Sequence, residues 1–282
     1  MSGTSDPRRD LTKTNELLWG PVETSRRGPR PGLTLERIVD TAIAIADTEG
    51  VDGLSMRRVA AELGVGTMSL YRYVPGKSVL LNLMLDRVSG LGDCEPPRGE
   101  DWRSVLEAAA RGTYQVHLRH RWLLQVNWSR PVFGPNTLAG VELMINGLAG
   151  TGLTDQERVL AMIAIDAYCT GMARSHVQYT NAAGETGISD EEFWTHQLPV
   201  LESAMATGRY PALAALAEDS FEADWEETFE FGLQRLLDGL GSLIEQRARA
   251  GEQPRGAEAE GGGQRPPGTA SGRVAGVTGA GN

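Results

Sequence analysis

Apolar residues recur at three- and four-residue steps along most of the chain, the period of helices with one buried face. Between Leu33 and about Glu49 that face carries Ile38, Ala42, Ile45 and Ala46, with Thr34 as the N-cap and Gly50 as the stop. Ser55 caps a second helix running to about Leu63, and a third, short helix spans Thr67 to Tyr73. Pro75-Gly76 makes a turn, and a fourth helix carries Val79, Leu80, Leu83, Met84 and Val88. Six further helical segments are predicted at about 101–120, 121–129, 136–150, 155–183, 190–206 and 222–249. Asp101-Trp102 opens the first of them, and Thr154 with Glu157 and Ser189 with Glu192 fit the capping-box spacing. Alternation of period two is nowhere sustained, so the expected fold class is all-α: a three-helix N-terminal unit joined to a larger helical bundle.

The two ends break the pattern. Residues 1–32 are polar with scattered Pro and Gly, and read as a flexible basic arm; Leu17-Leu18-Trp19 is its one candidate for a docking helical turn. From about Gly251 to residue 282 the chain is Gly, Ala, Pro, Arg and Glu, too poor in large apolar groups to repay its ordering entropy, and is expected to be disordered. A Pro-rich stretch at Cys94–Glu100 separates the fourth helix from the rest. The expected division is therefore 1–32 arm, 33–90 first domain, 91–250 second domain and 251–282 tail. The N-terminus has no apolar core of a signal peptide and no run of 18 apolar residues occurs, so neither secretion nor a membrane span is expected. Two cysteines, Cys94 and Cys169, make neither a disulfide framework nor a metal-ligand spacing. A cytoplasmic location is the simplest expectation.

The formal net charge of −10 argues at first against a nucleic-acid partner. Its distribution argues the other way. From Ser55 to Lys77 the bases are Arg57, Arg58, Arg72 and Lys77 and the acid is Glu62, a local charge of 4 − 1 = +3. Arg26, Arg27 and Arg30 lie just upstream with no acid between them. Screening at physiological salt limits the reach of distant acids to roughly 8 Å, so a basic face on an acidic body still docks on phosphate.

That basic window has the layout of a helix-turn-helix. Val59, Ala60, Leu63, Val65, Leu70 and Val74 pack inward, Ala60 and Ala61 allow close approach, and Gly64 supplies the positive φ of a tight helix exit. The third helix points Thr67, Met68, Ser69, Arg72 and Tyr73 outward, a set suited to base edges and phosphates, with Met68 as contact or spacer. Tyr71 is placed to bond a phosphate, Lys77 opens the next helix, and Arg57 starts the helix that crosses the backbone. The arginines of the arm, Arg26, Arg27 and Arg30, are candidates for tracking phosphates or entering a minor groove.

The run Leu54-Ser-Met-Arg-Arg-Val-Ala-Ala-Glu-Leu-Gly-Val-Gly-Thr-Met-Ser-Leu-Tyr-Arg-Tyr-Val-Pro-Gly-Lys77 resembles the TetR family of repressors over about Leu33–Ser89. The resemblance implies that Thr67–Tyr73 is the recognition helix and that Arg57, Thr67, Met68, Ser69, Tyr71, Arg72, Tyr73 and Lys77 meet the DNA. Tyr73 stands where the family often has His. The remainder also resembles a tetracycline-repressor-like C-terminal domain through Asp101-Trp102-Arg103, His120-Arg-Trp122, Ser129-Arg-Pro131, Gly134-Pro-Asn136 and Phe229–Leu240. That resemblance implies a body that encloses a small-molecule effector and forms a homodimer through two long helices per subunit, here about 155–183 and 222–249. The apolar stripe Phe229, Leu233, Leu236, Leu237, Leu240 and Leu243 is broad enough for core and partner alike. Candidate pocket residues are Tyr114, His117, Trp122, Trp128, Met144, Met162, Asp166 and Tyr168, with Asn146, His176 and Tyr179 beside them, a set of aromatic and apolar side chains with a few polar groups.

Other chemistry is set aside. Val74-Pro-Gly-Lys-Ser78 ends like a phosphate loop, but Tyr71 occupies the position that loop needs as Gly. His117 and His120 lie three apart without a third ligand nearby, so neither a metal nor any cofactor beyond the effector is expected. No nucleophile motif is present, so the chain does not read as an enzyme. The expected function is a regulator that binds a palindromic double-stranded operator and is released by the effector. The competing readings are a DNA-binding regulator with no small-molecule input and, from another class, a helical enzyme with a vestigial DNA-binding motif.

Overall fold

A computed structural model describes residues 6–20, 33–89, 101–127 and 132–252. All regular structure among them is helical. The head consists of α2 (Leu35–Gly53), α3 (Met56–Glu62), α4 (Thr67–Tyr71) and α5 (Lys77–Val88). The body contains α6 (Trp102–Arg119), a 3₁₀ turn at Arg121–Gln125, α7 (Pro135–Gly147), α8 (Asp155–Thr186), α9 (Asp190–Ala206), the short α10 (Pro211–Ala214) and α11 (Trp225–Glu252). No described helix is long and apolar enough to cross a membrane.

Local sequence chemistry sets the helix ends. Thr34 accepts from the Arg37 N–H, Ser55 from Arg58 and Asp101 from Ser104. Thr154 and Glu157 close a full capping box, each satisfying the other's free backbone N–H. At Ser189 half of the expected box forms: its hydroxyl accepts from the Glu192 N–H. Gly50 sits at φ 74°, which interrupts α2 where the sequence placed its end, although the chain coils on to Gly53.

Residues 7–19 correct an expectation. They form a helix, α1 (Pro7–Trp19), not a flexible arm, and its Leu17-Leu18-Trp19 end docks as a helical turn, as the sequence suggested. Asp6 caps it and Pro7 occupies the first turn, where a missing N–H costs nothing. Its buried position is Thr14, a polar residue, which is why an apolar-periodicity reading passes over it. The Thr14 hydroxyl donates to the Asp10 carbonyl and accepts from Asn82 Nδ2 of α5 at 3.3 Å. The arginines Arg26, Arg27 and Arg30 and the C-terminal tail beyond residue 252 lie outside the described residues.

Two cores hold the molecule. The first gathers Ile38, Ala42, Ile45, Val59, Leu70, Val74, Leu80 and Met84 of the head. It continues without a break into Trp122 and Leu123 of the 3₁₀ turn. The second lies between α6, α8 and α11, around Leu106, Tyr114, Ile165, Cys169, Phe229, Leu233 and Leu237.

Buried polar contacts join head to body. The carboxyl of Asp86 on α5, 3% exposed, faces the start of α7. It accepts from the Thr137 N–H and hydroxyl at 2.9 Å each and from Asn136 Nδ2 at 3.2 Å. No side chain of α7's own segment caps that helix, so Asp86 takes the role from across the interface. Gly134 follows from this: a Cβ there would overlap the Asp86 carboxyl. The Gly134-Pro-Asn136 run is therefore a receptor for one carboxyl group. A second joint is made by Asp47 of α2, whose Oδ1 accepts from Trp122 Nε1 and contacts His120 Nδ1, both at 2.8 Å.

Asp86→Asn places an amide donor against donors and is expected to cost roughly 2–3 kcal/mol, measurable by chemical denaturation. Gly134→Ala is expected to destabilise in the same direction, by displacing the same carboxyl.

Candidate nucleic-acid interface and effector body

The helix-turn-helix is built as its sequence dictates. Val65 N–H donates to the Ala60 carbonyl at 3.0 Å and Gly64 N–H to Ala61 at 3.1 Å, closing α3 with a left-handed residue. Gly64 holds φ 66° in open space, so the backbone, not crowding, requires glycine. Leu70 and Val74 are fully buried and fix α4 against the head. Ala60 is buried with them; Ala61 is exposed and takes no part in the close approach.

The residues proposed to meet DNA are set as follows. Met68 is 77% exposed, and Tyr71, Arg57, Arg72 and Lys77 are exposed. Thr67 and Ser69 are half-buried, and Tyr73 leans its ring on the head core. Lys77 Nζ donates back to the Val51 carbonyl at 2.9 Å, a contact that a phosphate would have to replace. The +3 count of the basic window overstates the free charge. Arg58 pairs with Glu49 and Glu62 at 2.7 Å each, and those hydrogen bonds raise its pKa further. Glu49 lies outside the window in sequence but across from it in space.

In the body, Tyr114 and Tyr168 meet around Phe229. Tyr114 stacks on Phe229 with ring centroids 4.1 Å apart and planes 9° apart, and Tyr168 lies 5.7 Å from the same ring. Tyr168 hydroxyl donates to the Phe229 carbonyl at 2.7 Å and fills the space over Gly232, where any Cβ would overlap it. Trp225 stacks on His176 at 5.2 Å, and Tyr179 tilts against Trp225. Phe229 and Trp225 were not among the expected pocket residues, since their helical spacing reads as core; only the density of rings around α8 points to them.

Polar groups punctuate this aromatic belt. Tyr114 hydroxyl and His176 Nδ1 are 2.8 Å apart. Burial pushes Tyr114 up to about 12 and lowers the His176 pKa, with Arg121 lowering it further. Burial thus disfavours the charged form of both groups. His117 Nδ1 is engaged by the Thr113 carbonyl at 2.8 Å, which leaves Nε2 as its outward atom. Asp166 has an accessible side chain, yet desolvation raises its pKa and His117 opposes that shift. Met144 and Met162 are half-buried on the neighbouring faces. Cys169 is buried, its thiol pushed up to about 12 by desolvation, and is unreactive at neutral pH.

Trp122 corrects a second expectation. It is fully buried in the head core with its indole N–H on Asp47, so it is a joint residue and not a pocket wall. Trp128 lies outside the described residues.

The same chain is similar to known proteins along most of its length. Residues 38–84 match the family described as "Bacterial regulatory proteins, tetR family", and residues 95–244 match "Tetracyclin repressor-like, C-terminal domain". An HTH-type transcriptional repressor of Streptomyces coeruleorubidus, DrrR1, is 53% identical over 84% of this chain and 88% of its own. Among solved structures, apo ActR of Streptomyces coelicolor is 30% identical with a TM-score of 0.62, over 80% of this chain and 100% of its own. ActR in complex with actinorhodin is 30% identical with a TM-score of 0.55, over 76% and 99%.

Because burial disfavours the charged form of His176, the folded state binds fewer protons there than the unfolded state. Its share of stability is present above pH 6.5 and is lost as pH falls below that value. Thermal melts from pH 7.5 to 5 are expected to show a shallower pH slope in His176→Gln than in the parent.

Proposed function

The chain belongs to the TetR family of bacterial transcriptional regulators, and from that premise we propose a homodimeric repressor that a small planar effector releases from its operator. Residues 33–90 are the reading head and 91–250 the sensing and dimerising body. The observation that carries this reading is the joint. A DNA-reading unit whose core runs straight into the body at Trp122, and whose α5 caps a body helix through Asp86, cannot change its tilt independently of the body.

For the output, Thr67, Met68, Ser69 and Tyr71 on α4 meet base edges and adjacent backbone, with Arg57, Arg72, Tyr73 and Lys77 contributing phosphate or neighbouring contacts. A single five-residue helix covers few base pairs, so two copies must read half-sites about 34 Å or a multiple apart. Exposed apolar side chains support a second copy packing on α8 and α11: Leu160 and Ile163 on the former, Phe231 and Leu236 on the latter. For the input, the ring belt of Tyr114, Tyr168, Phe229, His176 and Trp225 suits a flat polycyclic aromatic molecule, with His117 and Asp166 as polar partners. ActR, solved in complex with actinorhodin, supports a small-molecule ligand, and the class is argued from the rings alone. Effector binding shifts the body elements that carry the joint, and α5 turns the head out of register.

Selection of bound sequences from a random duplex pool gives the operator. Arg72→Ala is then expected to weaken operator binding and reduce the log–log salt slope by about 1, while fluorescence titration with planar polycyclic aromatic probes is unaffected. Recovery of no enriched sequence would contradict the regulator reading. Enrichment with no response to any polycyclic aromatic would contradict the proposed effector class alone.

A further inference from the structure

Helix α1 lies outside both matched regions, which begin at residues 38 and 95. It nevertheless lies across the joint. Along one side it packs on α5, the helix between the reading head and the body, with Thr14 fully buried against Asn82. Leu17 and Leu18 lean on the head core. At its C-terminal end the Trp19 indole N–H donates to the Phe133 carbonyl at 3.0 Å. Phe133 immediately precedes Gly134, the residue that makes room for Asp86. One short helix therefore touches α5 at Asn82 and the body strand of chain that receives Asp86 four residues farther along α5.

The consequence is mechanical. Asp86 ties α5 to the body near the C-terminal end of that helix, and the Asp47 joint ties α2 rather than α5. By way of α1 the same α5 gains a second tie to the same body segment, four residues from the first along α5 and through a different element. We propose that α1 is a clamp that fixes the tilt of α5 on the body, and that through this it determines how strictly the dimer discriminates operator half-site spacing. Thr14 and Trp19 act here as positioning residues, at a distance from any base. This proposal rests on the dimeric regulator reading above.

Two full-length variants separate the clamp from simple stability. Thr14→Arg puts a charged side chain into the fully buried site and drives α1 off α5. Trp19→Phe keeps a ring at a 55% exposed position and removes only the donor to Phe133. Each is titrated with the selected operator and with operators lengthened or shortened by one base pair between half-sites, and hydrogen exchange of residues 7–19 is followed in the same samples.

The parent is expected to prefer its own spacing strongly. Trp19→Phe is expected to lower that preference by about fivefold, the factor set by one lost hydrogen bond. Thr14→Arg is expected to lower it further, with rapid exchange through α1 and unchanged affinity for non-operator DNA. If α1 exchanges freely in Thr14→Arg and spacing discrimination equals that of the parent, the clamp is overturned and α1 is only a cover. If Thr14→Arg does not fold, unchanged discrimination in Trp19→Phe overturns it alone. A parent that enriches an operator yet shows no spacing preference contradicts the dimer, and with it the clamp. A parent that enriches nothing contradicts the regulator reading itself.

Discussion

A carboxyl group shut away from water must find donors for its lone pairs, and the start of a helix is a row of donors without acceptors. At Asp86 and α7 these two needs meet across the boundary between head and body. Much else in the middle of the molecule follows from that contact. Gly134 has to lack a side chain, Pro135 can begin the helix because no N–H is needed at that position, and Asn136 and Thr137 supply the side-chain donors. Asp47 of α2 makes a comparable contact with Trp122 and His120 at the 3₁₀ turn. The head core thereby takes in Trp122 and Leu123 of the body.

This arrangement suits a protein whose output is geometry. The side chains proposed to read bases lie on α4, a helix of five residues, too short to cover more than a few base pairs of one half-site. What a sensor must control is the position of one such helix relative to its symmetry mate. A buried, fully satisfied polar contact has well-defined geometry and few alternatives, which makes it a better transmitter than an apolar patch that repacks freely. The ion-pair ladder on the far side of the body, where Arg111 meets Glu230 and Arg103 meets Asp238, holds α11 on α6.

Much of this was legible from residues alone, for reasons that are local. The caps at Thr34, Ser55 and Thr154 act within three residues of themselves, so the sequence carries both partners. Gly64 requires a left-handed turn wherever it sits between two such helices. Failures came where a partner lies far along the chain. Thr14 looks like a surface residue until Asn82, 68 positions away, is placed beside it. Arg58 counts as a free cation until Glu49 folds against it. Trp122 reads as a pocket aromatic because nothing near it announces Asp47, 75 positions upstream. The site residues split the same way: the helix-turn-helix set is contiguous and readable, whereas the ring belt draws on α6, α8 and α11 and exists only once they pack.

The central claim is that operator reading and the body are one coupled unit through the joint. Hydrogen exchange of the full-length protein, alone and bound to its selected operator, tests it most directly, because coupling between sites is reciprocal. The account predicts slower exchange at Thr67–Tyr71 and, without any DNA contact, also at Arg121–Gln125 and at residues 134–140. Protection confined to the head, with those body segments exchanging as in the free protein, would contradict it.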